Sequence, residues 1–254
     1  MESAFVLMLM LCLGVGISLG LLGGGGTILT VPIFVYAGKM QAESAIALSL
    51  VIVGLVSLVG AFRYLKQGLL NQRLVLLFTL SGMPTAMIGA KFTPLVRSEH
   101  LLLSFGFLMC LVAVILLVKS VRGKEVPQTA TCRPETWVSL TIGAAIGFLT
   151  GFMGVGGGFL IVPAISILMR CSLHTAVATS LAIIAINSLS AFAAHLGTFD
   201  FDLGLICALL GVMLSGAFIG TKVALKLKGR ILQSAFAVLI LLTGIFLISK
   251  NLAS

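Results

Sequence analysis

The stretch Gly23-Gly24-Gly25-Gly26-Thr27-Ile28-Leu29-Thr30-Val31-Pro32 returns 131 residues later as Gly154-Val155-Gly156-Gly157-Gly158-Phe159-Leu160-Ile161-Val162-Pro163. The same offset, held without a gap, pairs Gly16 with Gly147, Gly20 with Gly151, Ala45 with Ala176, Ser49 with Ser180 and Ser57 with Ser188. Far downstream it still pairs Gly89 with Gly220 and Lys91 with Lys222. Apolar sequence gives chance matches of Leu and Val. A register kept through glycine, proline, serine and lysine points instead to two homologous halves.

Around these two stretches the chain is 59% hydrophobic and only 9% charged. A soluble domain carries about 25% charged residues, so a water-compatible surface is out of reach. Apolar runs recur at Ala4–Leu22, Ala45–Phe62, Leu101–Val118, Leu173–Ala194, Leu203–Ile219 and Ile231–Ile248. A helix needs roughly 20 apolar residues to cross a bilayer. Barrel strands would be about half as long and alternate in polarity, a pattern absent here. The fold class is an all-α polytopic integral membrane protein. The first run has no Lys or Arg before it and no small-residue cleavage site, so it reads as retained rather than as a signal peptide.

The net charge of +9 does not indicate nucleic acid. Its basic residues fall in short gaps between spans, as with Arg63, Lys66 and Arg73, or Lys222, Lys226, Lys228 and Arg230. That is how charge which sets membrane topology is distributed.

Each half divides into four parts: an apolar segment ending in glycines, a short Pro-containing helix, and three long spans after it. The short helices are expected at Thr27–Ala37 and Gly158–Met169, and the long spans at about 43–65, 71–92, 99–119, 173–196, 203–225 and 229–249. The domains are then residues 1–119, a linker at 120–135 with Pro127 and Pro134, and residues 136–254. At 1.5 Å per residue the short helix reaches about 18 Å, well below the roughly 30 Å core. The first segment, glycine turn and short helix therefore read as a broken or re-entrant hairpin that returns to its starting side. Three further crossings, an odd number, would invert one half relative to the other. Inversion places twelve Lys and Arg on one side and four on the other, whereas an even number of crossings gives eight and eight. The bias favours inverted repeats, with the termini outside and the linker cytoplasmic, in a cell inner membrane.

Interrupted helices in inverted repeats mark midplane binding sites. Glycine allows a sharp turn and a close backbone approach. The first turn of the following helix leaves N–H groups unpaired, at the positive end of the helix dipole. Together these make an anion site needing no charged side chain. Close helix packing is the alternative use of such glycines. The candidate substrate-binding residues are Gly24, Gly25, Gly26 and Thr27 in the first half, and Gly156, Gly157 and Gly158 in the second. Ser49, Ser180 and Asn187 would add hydrogen bonds, with Ser188 one position on from Asn187. Asn187 pairs with apolar Val56 across the repeat, which suits a single asymmetric ligand. His195, paired with Tyr64 near a span end, is a candidate proton relay.

Glu43, Glu99, Asp200 and Asp202 fall at span ends, and no acidic residue lies deep in a span, which argues against a carboxylate cation site. The five cysteines (Cys12, Cys110, Cys132, Cys171, Cys207) show no CxxC and no metal-ligand spacing, and indicate no disulfide framework. His174 and His195 stand apart from acids and cysteines, so an intramembrane enzyme is not indicated. No cofactor and no metal are expected.

The paired glycine clusters, each followed by Val-Pro (Val31-Pro32, Val162-Pro163), and the Ala-Ser-Leu-rich third segments resemble the sulfite exporter TauE/SafE family of permeases. The resemblance covers nearly the whole chain outside the linker. One departure is that the first cluster is an unbroken glycine run where the second carries Val155. The resemblance implies a secondary transporter for small sulfur-containing anions such as sulfite or organosulfonates, working by alternating access. The alternatives are another small anion, or a membrane subunit acting with a partner protein. The expected partners are the small anionic substrate and the lipid bilayer, with no nucleic acid, and a homo-oligomer is left open.

Overall fold

The computed structural model describes residues 2–92, 98–122, 135–153, 158–169, 171–193 and 203–252. These form ten α-helices and no strand. In the first half they are α1 (Glu2–Leu22), α2 (Thr27–Tyr36), α3 (Ala42–Lys66), α4 (Gln72–Phe92) and α5 (Ser98–Arg122). In the second they are α6 (Thr136–Met153), α7 (Gly158–Pro163), α8 (Leu173–Ala193), α9 (Leu203–Ala224) and α10 (Gly229–Leu252). The expected helix at Gly158–Met169 is split, since α7 passes at Pro163 into a π-helical turn over Ala164–Leu168. α5 runs three residues past the expected boundary at 119.

Among the described residues, five helical stretches are long and apolar enough to cross a membrane: Ser44–Lys66, Leu103–Ser120, Leu173–Phe192, Gly204–Ala224 and Gly229–Ser249. Their outer faces carry exposed Phe107, Phe218, Leu242 and Phe246, the surface a bilayer solvates. The chain is a multi-pass membrane protein. α4 has 21 residues, with Arg73 and Lys91 near its two ends and Ser81, Pro84 and Thr85 between them.

Local chemistry sets the helix ends. Gly68, at φ +70°, closes α3, with its N–H donating to Leu65 O and that of Leu69 to Tyr64 O, an αL cap that glycine adopts without strain. Asn71 Oδ1 accepts the Leu74 N–H at 3.2 Å and starts α4. Ser172 Oγ accepts the Thr175 N–H at 3.2 Å and starts α8. Both are N-caps that pair otherwise orphaned donors.

The main helix pairs are α1 with α9, α4 with α6, α3 with α8 and α5 with α10. Each joins an element before residue 123 to one after residue 134. Glycines bring α1 and α9 together: Gly16 lies against the Met213 carbonyl and Gly20 against that of Ala217. In α4 and α6, Gly147 lies against Gly82 and Gly151 against Ala86. All four residues of the second set differ by 131 from their counterparts in the first. The short helices close alike too: the Gly38 N–H donates to Ile33 O at 3.1 Å and the Met169 N–H to Ala164 O at 3.3 Å, again 131 apart. α3 and α8 run antiparallel through the core, with Gly54 beside Leu189 and Gly60 beside Leu181. In α5 and α10, also antiparallel, Ser120 Oγ meets Ser234 Oγ at 2.7 Å and Gly106 faces Ile248.

Candidate functional site

α1 ends where Gly23 takes φ +74°, a left-handed conformation that side chains with a Cβ resist. The chain then turns through buried Gly24, Gly25 and Gly26 into α2. α2 comes back along α1: a Cβ on Gly26 would lie 2.7 Å from Val15 O, and one on Gly38 would lie 3.1 Å from Met8 Sδ. The segment therefore returns toward the start of α1.

The first turn meets the start of α7. Gly24 packs directly on the Gly158 carbonyl, with no space for a methyl group between them, and a Cβ on Gly158 would lie 2.9 Å from Gly24 Cα. Ser180 sits beneath the first turn, its Oγ only 2.6 Å from where a Gly23 Cβ would be. The N–H groups of Gly24, Gly25 and Gly26 make no backbone hydrogen bond to another described residue, although all three residues are buried. Buried N–H groups are rarely left so, and this turn holds three of them.

The candidate glycines thus have different roles. Gly24 and Gly158 permit contact between the tips. Gly26 permits the hairpin itself to close. Gly25 faces only the ends of Leu239 and Phe236, at 2.9 and 3.1 Å from a Cβ built there. Gly156, Gly157 and His195 lie outside the described residues.

The hydroxyls are placed less simply than their spacing suggests. Thr27 Oγ1 donates to Gly24 O at 2.8 Å, Ser49 Oγ to Ile46 O at 2.7 Å and Ser180 Oγ to Val177 O at 2.9 Å. Each proton is committed to its own segment, so these side chains present lone pairs unless they rotate. Asn187 Oδ1 is buried without a hydrogen-bond partner.

Beside the tips lies a cavity of about 260 Å³ between α2, α3, α5, α8 and α10. Thr27, Ser49, Ser188 and Thr243 are its polar lining; Ile28, Leu29, Val53, Phe105 and Leu247 are among its apolar walls, and no charged side chain reaches it. Of the expected site residues it gathers Thr27 and Ser49. Ser180 is instead at Gly23. The sequence reading missed the cavity walls from α5 and α10, since lone Phe105 and Phe246 carry no local signal. Among the described residues no three His, Cys, Asp or Glu side chains come together as metal ligands. Cys171 is disulfide-bonded while Cys12, Cys110 and Cys207 are free, which corrects the reading of the cysteines as unlinked; spacing carries no sign of a bridge made by the fold.

Three contacts tie elements around the site. Buried Tyr64 donates its hydroxyl to Gly20 O at 3.2 Å, pinning α3 to α1 just before the turn. Lys119 Nζ donates to Ser166 O at 3.0 Å, joining α5 to the π-helical turn. His174 Nε2 meets Ala224 O, the end of α9, at 3.1 Å.

A helix broken at a glycine turn that packs on the start of α7, inside a bundle with lipid-facing sides, points to a class: membrane transporters with interrupted helices. The chain belongs to the sulfite exporter TauE/SafE family, whose model matches residues 8–247. A probable membrane transporter protein of Xylella fastidiosa (strain 9a5c) is 30% identical over 251 residues, covering 94% of this chain and 93% of the relative. The probable membrane transporter protein YunE of Bacillus subtilis is 26% identical, over 99% of this chain and 100% of its own length. A further probable membrane transporter protein, from Methanocaldococcus jannaschii, is 22% identical over 98% of both chains. No solved structure matches the chain.

Proposed function

We propose that this membrane transporter carries small sulfur-containing anions, such as sulfite or organosulfonates, through a site at the meeting point of its two glycine-tipped hairpins. The observation that carries this reading is the buried run Gly24–Gly26, whose N–H groups lack backbone partners among the described residues while Gly24 touches Gly158. Such N–H groups, at the start of α2, attract an anionic head without a charged side chain. Thr27, Ser49, Ser180 and Asn187 adjust around it, with Gly156 and Gly157 at the second tip and His195 as a proton relay.

The two halves are inverted repeats. Glycine contacts and cap hydrogen bonds that recur 131 residues apart support the duplication. Counterpart helices α3 and α8 running antiparallel, as do α5 and α10, support the inversion. Rocking of one half against the other about the shared tips would give alternating access. The protein sits in the inner membrane, its termini outside and its linker in the cytoplasm.

Thermal-shift binding with purified protein tests the reading, using sulfite, thiosulfate, sulfoacetate, taurine, sulfate and acetate. A ligand of the folded state raises apparent stability. A selective shift with a sulfur anion is expected, weakened by Gly25→Ala, whose methyl group presses on Leu239 and the Phe236 ring rather than on backbone, in protein shown to be folded. A flat response from folded protein across the panel refutes it.

A further inference from the structure

The cavity beside the tips has a polarity gradient. Of its four hydroxyl-bearing residues Thr27, Ser49 and Ser188 are buried and Thr243 is half-buried, while Ile46 and Phe246 are 39% and 60% exposed on the outer face. Thr27 is also the first residue of α2, directly after the glycine run. The cavity therefore opens from the anion-attracting turn into apolar space.

The matched positions of the second half are packed. At the offset of 131, the counterparts of Ile28, Ser49, Val53 and Phe105 are Phe159, Ser180, Ile184 and Phe236, all buried. Phe159 packs edge-on against Phe105 at 5.2 Å, and Ile184 Cδ1 would lie 2.7 Å from a Cβ on Gly158. A phenyl ring, Phe159, stands where the first half has Ile28, and it packs on the cavity wall at Phe105. The site as a whole thus pairs one polar point with one apolar chamber.

Resting on the anion-carrier reading above, we infer that this chamber is a subsite for the apolar body of the transported anion. The chain then selects organic anions with a compact alkyl or aryl body over inorganic oxyanions. At about 30 Å³ per water-sized group, 260 Å³ has room for about nine heavy atoms. An inorganic oxyanion there would lose hydration against walls that return few hydrogen bonds. A lipid acyl chain entering from the rim would set its least polar end against three hydroxyls. An anion with its head inward matches the gradient instead.

The test uses full-length protein in lipid nanodiscs and a homologous series: sulfite, then methane-, propane-, butane- and hexanesulfonate, with hexanol as the uncharged control. Affinity is expected to rise about fourfold per methylene until the chamber is full. Leu50→Phe and, independently, Leu247→Phe place bulk in the chamber from α3 and α10, off the segment that carries the glycine turn. Each should abolish the rise while leaving methanesulfonate binding within about twofold. A rise identical in wild type and both variants is bilayer partitioning and overturns the subsite. So does tightest binding of sulfite, which leaves the anion-carrier reading standing. Hexanol binding as tightly as hexanesulfonate also overturns it, making the chamber a site for lipid-like molecules. Binding of no anion by folded protein removes both readings together.

Discussion

Replacing Gly20 by alanine puts a methyl group into the seam between α1 and α9. The new Cβ would meet the Ala217 carbonyl, with Ala217 Cα only 2.8 Å away. Backbone cannot swing aside as a side chain can, so the helices must separate. Overpacking of this kind costs about 1–3 kcal/mol. It works against the roughly 1 kcal/mol that alanine gains over glycine in a helix. The matching change Gly151→Ala places its methyl group against Ala86 in the seam of α4 and α6, in the same geometry. Gly14 and Gly211, which have nothing within 4 Å of a Cβ, supply the controls on α1 and α9. A thermal melt in detergent, followed by tryptophan emission or a thiol dye, reads all four variants. At about 2–4 °C per kcal/mol for a chain of this size, Gly20→Ala and Gly151→Ala should each lower the midpoint by about 2–12 °C, and by similar amounts. Gly14→Ala and Gly211→Ala should leave it unchanged or slightly raised. Equal losses in all four variants would refute the packing argument, and a loss at Gly20 with none at Gly151 would refute the equivalence of the two seams.

Other variants probe single contacts. Tyr64→Phe removes the hydroxyl that holds Gly20 O and should cost about 0.5–1.5 kcal/mol in the same melt. Asn71→Ala should destabilise by about 1 kcal/mol through loss of the α4 cap, with Asn71→Asp keeping most of it. Gln41→Cys and Lys226→Cys, in a background lacking other cysteines, should react with an impermeant maleimide from opposite faces, Gln41→Cys from outside; reaction from the same face would end the inverted arrangement.

How much of this was legible beforehand depends on the kind of information. Helix limits were readable where backbone chemistry is local: Gly23–Gly26 and Thr27 mark the α1–α2 break, and each short helix carries its proline. The offset of 131 identified equivalent residues, but equivalence does not tell which residues meet. Gly16 finding Met213, and Gly147 finding Gly82, follows from how the halves interlock. Ser49 and Ser180 were rightly seen as a matched pair, yet spacing could not reveal that each hydroxyl donates back to its own helix. The chamber is lined from five helices, and lone residues such as Phe105 and Thr243 show their part in it only once those helices come together.

Flux through the isolated protein tests the central claim most directly. Proteoliposomes loaded with unlabelled sulfite or sulfonate would be diluted into radiolabelled anion, and exchange followed against protein-free vesicles. Saturable counterflow of a sulfur-containing anion, reduced at least several-fold by Gly25→Ala in protein that melts normally, is the predicted result. Exchange no faster than in empty vesicles for every sulfur anion, from folded protein, would contradict it.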